Sequence, residues 1–202
     1  MNPIEKSATT YSTKNITRIS LLSVIAFLLM YVEVPLTFIA PPFIKLDLSD
    51  MPALIGGFAM GPLVGASIEF IKCVLIFFVR GTTTGGVGEL SNFIVGAIFV
   101  ATSSVFYRGH KTYSGAVLGL FLGVMGMTAF ATLSNYFVVF PLYGKIMPMD
   151  AIIEMGRAVT SRVDSLWDLM IYCIVPFNLV KGFITSIVTL VLYKRVSYLL
   201  HR

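Results

Sequence analysis

From Ser114 to Leu142 the chain carries no charged side chain, and comparable apolar runs recur along most of its 202 residues. About 20 apolar residues in a helix cross a hydrocarbon core of roughly 30 Å, so each such run is a candidate membrane span. Composition agrees. Apolar residues make up 56% of the chain, charged residues 12%, and mean hydropathy is +0.87, whereas a soluble domain carries roughly a quarter charged residues. The chain reads as an all-α, polytopic membrane protein forming one integral membrane domain over residues 1–202.

The runs predict six transmembrane helices. The first extends from Ile19 to Ile39, after a polar tail over residues 1–13, and ends among Pro35, Pro41 and Pro42, which remove backbone donors and clash with the preceding turn. No small-residue cleavage site follows it, so it is expected to be retained. Between Met51 and Val79 the run is broken by Gly56, Gly57, Gly61, Pro62 and Gly65. That length is short for two crossings at about 1.5 Å per residue, which predicts a short second helix and a third starting near Pro62. Such brevity is tolerated where irregular backbone is covered by protein or lines a cavity. Further spans are expected over Leu90–Phe106, Ser114–Leu142 and Leu169–Tyr193. Gly115, Gly119 and Gly123 recur every four residues, the pattern of a face along which a second helix approaches closely. The polar segment 144–168 has spacing that permits a short surface helix.

Charge placement sets the expected orientation. With both termini cytoplasmic, the inner side holds Lys6, Lys14, Arg18, Arg108, Lys111, Lys194, Arg195 and Arg202 against the single acidic Glu5, as the positive-inside rule favours. The loop over residues 45–52, KLDLSDMP, and the segment 144–168 then lie outside. The basic residues are scattered rather than gathered in a stripe with aromatics, which argues against nucleic acid. Cys73 and Cys173 sit in apolar runs without metal-site spacing and read as small buried hydrophobes. No GxxxxGK[ST] loop, GxSxG elbow or HExxH pair occurs, so neither ATP hydrolysis nor a familiar hydrolytic site is predicted, and no cofactor or metal is expected. His110 and His201 both fall at the cytoplasmic rim.

Polar residues inside the spans need a partner or a function, because a charge at a helix centre costs about 2.5–3.5 kcal/mol on insertion scales. Glu69 and Lys72, three apart, share a helical face and read as a buried ion pair holding the bundle, with a role in lining a cavity as the alternative. Asn92, Asn135, Asn178 and Lys181 all fall in outer halves of spans. Asn178 and Lys181 are one turn apart, with no acidic residue nearby in their helix to neutralise the lysine. Their donors and acceptors suit a neutral polyhydroxylated or heterocyclic ligand. Interhelical hydrogen bonding is the rival reading. Pro176, just before this pair, is expected to free backbone carbonyls nearby.

Taken in order, KLDLSDMPALIGGFAMGPLVG from Lys45 to Gly65, Asn92–Phe93, Asn135–Phe137 with Pro141–Gly144, and PFNLVKG from Pro176 to Gly182 resemble the substrate-binding S components of energy-coupling factor (ECF) transporters, in their riboflavin-binding branch. The resemblance implies a six-helix subunit binding riboflavin near its outer face, with the first loop as a lid. It implies flavin contacts from Asn135, Asn178 and Lys181, with further contacts from Leu46, Asp47 and Asp50 in the lid and from Gly88, Glu89 and Asn92. Whether the phosphate ester FMN is a second ligand is left open. The implied partners are a membrane coupling subunit, two ATPase subunits and the lipid bilayer. Docking in this family uses small residues on the first helix, where Ser20, Ser23 and Ala26 stand here, spaced by three. Two rivals differ in class. One is an S component for another vitamin, such as thiamine or biotin. The other is a small membrane enzyme, for which Asp47 and Asp50 are the only close outer carboxylates.

Overall fold

Proline and glycine punctuate the apolar runs, and the computed structural model, which describes residues 13–200 and the side chains of 13–193, breaks its helical course at one such pair, Gly61 and Pro62, while running on through others. Lys6, Glu5, His201 and Arg202, with the side chains of Lys194 and Arg195, lie outside the described residues. Helix α1 covers Thr13–Leu29. A two-stranded hairpin follows, β1 (Val34–Pro35) pairing antiparallel with β2 (Lys45–Leu46). Then come α2 (Asp50–Met60), α3 (Pro62–Val79), α4 (Val87–Gly109) and α5 (Tyr113–Ser134). A π-helical turn over Asn135–Val139 carries α5 into α6 (Phe140–Tyr143). Beyond it lie α7 (Met149–Arg157) and α8 (Leu166–Leu169), and a second π turn, Met170–Ile174, leads into α9 (Val175–Leu200).

Among these, four continuous helical stretches are long and apolar enough to cross a membrane: Pro62–Val79, Val87–Gly109, Tyr113–Tyr143 and Leu166–Tyr193. Helix α1 has 17 residues and α2 has 11, about 25 Å and 16 Å at 1.5 Å per residue. The first run stops at Leu29, ten residues before the expected Ile39, because residues 30–46 turn back as the hairpin. Segment 45–52 is likewise no free loop. Its first two residues pair with β1, and its last three open α2.

The break between α2 and α3 falls at Gly61, whose φ of 116° is rarely open to a residue with a Cβ. Pro62 occupies the first position of α3, where its missing N–H costs nothing. Helix α2 is apolar and buried on nearly all sides, as Ala53, Leu54, Ile55 and Phe58 show, consistent with its lying among α1, α3, α4 and α9. Leu22, Ala26, Ile68, Phe99, Leu120 and Met127 complete that core. A second core gathers Phe140, Ile152, Val163, Leu169 and Cys173 beneath the 144–168 segment, where α7 is the expected surface helix.

The glycine face of α5 packs on α4. A Cβ at Gly119 would stand 2.6 Å from the Ser103 carbonyl oxygen, which is backbone and cannot rotate away. Gly119→Val is therefore expected to destabilise the protein by about 1–3 kcal/mol, read as a lowered thermal midpoint in detergent. An unchanged midpoint would mean that the two helices can separate without cost.

The last two of these stretches each carry a proline one residue beyond a π turn. Phe140 N–H bonds the Asn135 carbonyl and Val175 N–H the Met170 carbonyl, each five residues back. Pro141 and Pro176 then follow. A proline ring clashes with the carbonyl four residues before it, and the wider π turn makes room. The helix thus continues through Pro176, and the local irregularity expected there takes the form of an inserted residue, a feature frequent at functional sites.

Candidate functional site

One end of the bundle encloses a cavity of about 530 Å³, within the usual 300–1,000 Å³ of small-molecule sites. The C-terminal ends of α1, α3 and α5, the N-terminal ends of α4 and α9, and the hairpin all contribute to it. Its apolar wall includes Phe43, Ile76, Val95, Ala131, Phe140, Ile174 and Phe177, and Tyr143 also lines it. Phe140 meets Phe43 and Tyr143 edge to face, with ring centroids 6.2 and 6.0 Å away. A site walled this way suits a flat aromatic ligand.

Of the residues singled out in the sequence, Asn135, Asn178, Lys181, Asn92, Glu89, Gly88 and Asp47 line this cavity. Leu46 and Asp50 do not: Leu46 lies in the hairpin, and Asp50 is buried behind the wall. Asn135 and Asn178 each donate through Nδ2 to the carbonyl four residues back, Ala131 at 2.7 Å and Ile174 at 2.8 Å. Each Oδ1 remains as an acceptor, with one amide hydrogen still to place.

Lys181 corrects the sequence reading. It is not an unpaired intramembrane cation, for its Nζ lies 3.3 Å from Asp47 Oδ2 and 3.3 Å from Asp50 Oδ2. Both carboxylates arrive from the hairpin junction, 134 residues away in the case of Asp47. Asp47 Oδ1 in turn accepts the Ser49 N–H at 2.8 Å. Lys72 completes the cluster, donating to Asp50 Oδ1 at 2.5 Å and Ser49 Oγ at 2.8 Å, with Glu69 Oε2 at 2.6 Å. Lys72 and Glu69 are wholly buried and do not line the cavity, so the bundle-holding reading of this pair stands. Together these groups bind the segment after β2 to α3 and α9.

At the cavity mouth Glu33 accepts from both Lys45, at 2.5 Å, and Arg80. The Arg80 hydrogen bond holds the Glu33 carboxyl below the usual carboxylate range, and Glu33 reciprocally raises Arg80. A carboxylate lowered in the folded state stabilises fully above its ordinary value, and that contribution disappears as pH falls through the lowered one. The pair is partly exposed, so about 0–1 kcal/mol is at stake. Tryptic cleavage after Lys45 in acid-pulsed samples is accordingly expected to rise only below the ordinary carboxylate range. A rise beginning near neutral pH would place the fastening elsewhere.

Sequence reasoning missed the aromatic wall, because Phe43, Phe140 and Phe177 are unremarkable within apolar runs. It also passed over Thr82 and Thr84, although their place in a polar glycine-rich loop, RGTTTGGVGE, was a usable signal. Ser23 and Ala26 contradict the expected docking face. Both are fully buried against the chain's own core and only Ser20 of the three is exposed. A three-residue spacing on a helix surrounded on one side by α2 and α3 turned these small residues inward.

The fold is that of a transporter's substrate-specific subunit, and over residues 14–193 the chain matches the family model for the ECF transporter, substrate-specific component; it belongs to that family. It is 34% identical to the riboflavin transporter RibU of Staphylococcus aureus (strain TCH60) over 94% of this chain and 93% of that one. It is 31% identical to the riboflavin transporter FmnP of Bacillus subtilis (strain 168), covering 87% of each. A solved structure described as the S component of a bacterial ECF transporter superposes with a TM-score of 0.71 at 32% identity, covering 93% of this chain and 97% of that one. These are transport components and not enzymes.

Proposed function

We propose that this chain binds riboflavin in the cavity and serves its uptake as the substrate-specific subunit of an ECF transporter. The observation that carries the reading is the cavity itself: aromatic side chains suited to a fused ring, with Asn135, Asn178 and Lys181 among its lining as donors and acceptors, in a chain resembling riboflavin transporters along nearly its whole length. Asn92, Gly88, Glu89 and Asp47 supply further polar contacts. Leu46 and Asp50 act indirectly, by positioning the hairpin and Lys181.

In this reading α1 and α2 complete a six-span bundle, with α2 reaching mid-bilayer and the hairpin and turn before it filling the remaining depth. The cavity, residues 45–52 and the segment 144–168 face outward, and both termini are cytoplasmic. Lys14, Arg18, Arg108 and Lys111 then lie on the inner side, as the positive-inside rule favours. Energy comes from a membrane coupling subunit and two ATPase subunits, which contact residues of α1 other than Ser23 and Ala26.

The test is a titration of purified protein by quenching of flavin fluorescence, with thiamine as competitor. Tight riboflavin binding that thiamine does not displace is expected. Colourless protein that leaves riboflavin fluorescence unquenched would instead favour an S component for another vitamin.

A further inference from the structure

The stretches Tyr113–Tyr143 and Leu166–Tyr193 pack together, and the cavity takes up only one of the faces they share. On another face a groove of about 400 Å³ runs between them, lined on α5 by residues from Met125 to Leu133 and on α9 by Val175 and Leu179. Thr128, Ala129 and Thr132 stand in it between the bulkier Met125 and Leu133, so the surface dips there. Thr132 Oγ1 donates to the Thr128 carbonyl at 2.8 Å, and Thr128 Oγ1 is itself shielded from the surface. The groove thus offers apolar atoms and no free donor. Both helices are long and apolar enough to cross a membrane, so at this depth it faces hydrocarbon. An unfilled dip forfeits dispersion contacts along its lining.

Toward the 144–168 segment the groove ends at Leu133 and Val175. Three residues before Val175 stands Tyr172, partly exposed, with the Arg162 guanidinium carbon 5.9 Å from its ring centroid. Three residues beyond Leu133 stands Tyr136, edge to face with Trp167 at 5.2 Å between centroids. Tyrosine and tryptophan gather where a bilayer meets water. Arg162 is exposed and forms no ion pair among the described residues. The carboxylates next to it in sequence are engaged elsewhere, Asp164 with Arg157 at 3.0 Å and Asp168 in the capping box of Ser165. What the site offers an anion is therefore the free N–H donors of one guanidinium, not a net positive field.

We propose that the groove between α5 and α9 is a phospholipid site, with one acyl chain lying between the helices and the headgroup phosphate held by Arg162. A guanidinium grips phosphate oxygens through paired N–H donors, and an aromatic face steadies it from behind. The chain is flexible enough to fill a dip made by three small side chains. A transmembrane helix, about 10 Å across with its side chains, would cover that dip without filling it.

The experiment titrates the full-length protein in detergent and counts bound molecules by native mass spectrometry. Three probes are compared: dioleoyl phosphatidylglycerol, dioleoylglycerol, which has the chains without the phosphate, and glycerophosphate, which has the phosphate without the chains. Wild type is expected to retain phosphatidylglycerol about tenfold or more better than either fragment, the worth of a hydrogen bond to a charged group. Arg162→Gln is expected to bring phosphatidylglycerol down to the level of dioleoylglycerol. Ala129→Phe, which fills the groove from an exposed position, is expected to lose both lipids. Lys145→Gln removes an exposed cation from the same end of the bundle and is expected to bind like wild type. Equal retention of phosphatidylglycerol and either fragment by wild type overturns the proposal, as does wild-type retention in Arg162→Gln or Ala129→Phe. Pairing of chains in place of lipid uptake overturns it too. If Ala129→Phe folds poorly, Arg162→Gln decides alone.

Discussion

Replacing Lys181 with Met is expected to weaken riboflavin binding by roughly 10- to 150-fold, the equivalent of losing one hydrogen bond to a charged group worth about 1.5–3 kcal/mol. The same substitution should loosen the segment after β2, because Asp47 loses the ammonium 3.3 Å away, whereas Asp50 keeps Lys72. Two readouts follow from one residue: Kd by fluorescence titration, and the rate of tryptic cleavage after Lys45. Adding Asp47→Asn should slow that cleavage relative to Lys181→Met alone, since the uncompensated carboxylate is then gone, without restoring affinity. Asn178→Ala should cost affinity of about 1–3 kcal/mol and leave cleavage unchanged. Wild-type Kd in Lys181→Met would remove the lysine from the binding site altogether.

Lys72→Met is expected to have the largest effect on stability. Lys72 is wholly buried and is the ion-pair partner of both Asp50 and Glu69. Removing one member of such a group strands the others in a low-dielectric interior, typically at a cost of about 3–5 kcal/mol. Low yield and a sharply lowered thermal midpoint in detergent are anticipated. Combining it with Glu69→Leu should recover part of the loss, because an apolar replacement of a whole buried ionic group is often neutral. A single variant melting like the wild type would contradict the structural role assigned to the cluster.

Much of the fold was legible because it follows from local rules. Apolar run lengths located the four long stretches, Gly61 and Pro62 marked the break between α2 and α3, and the four-residue glycine period identified the α5 face that meets α4. The candidate site was legible only in part. Asn135, Asn178 and Lys181 stood out because polar groups in apolar helices are costly, and all three line the cavity. The aromatic wall was hidden because Phe140 and Phe177 look like ordinary core or lipid-facing residues until the helices are assembled. The two π turns left no periodicity to detect, only the prolines that follow them.

The sequence by itself determined that this chain belongs in a bilayer, since neither its charge content nor its run lengths permit a water-facing surface. It also singled out Lys181 as a residue needing a partner. Only the tertiary structure decided what that partner is. Asp47 and Asp50 lie far from Lys181 along the chain, and their attraction depends on the distance and dielectric between them in space. Burial likewise turned Ser23 and Ala26 from a presumed outer face into core, because which side of a helix is inside depends on its neighbours.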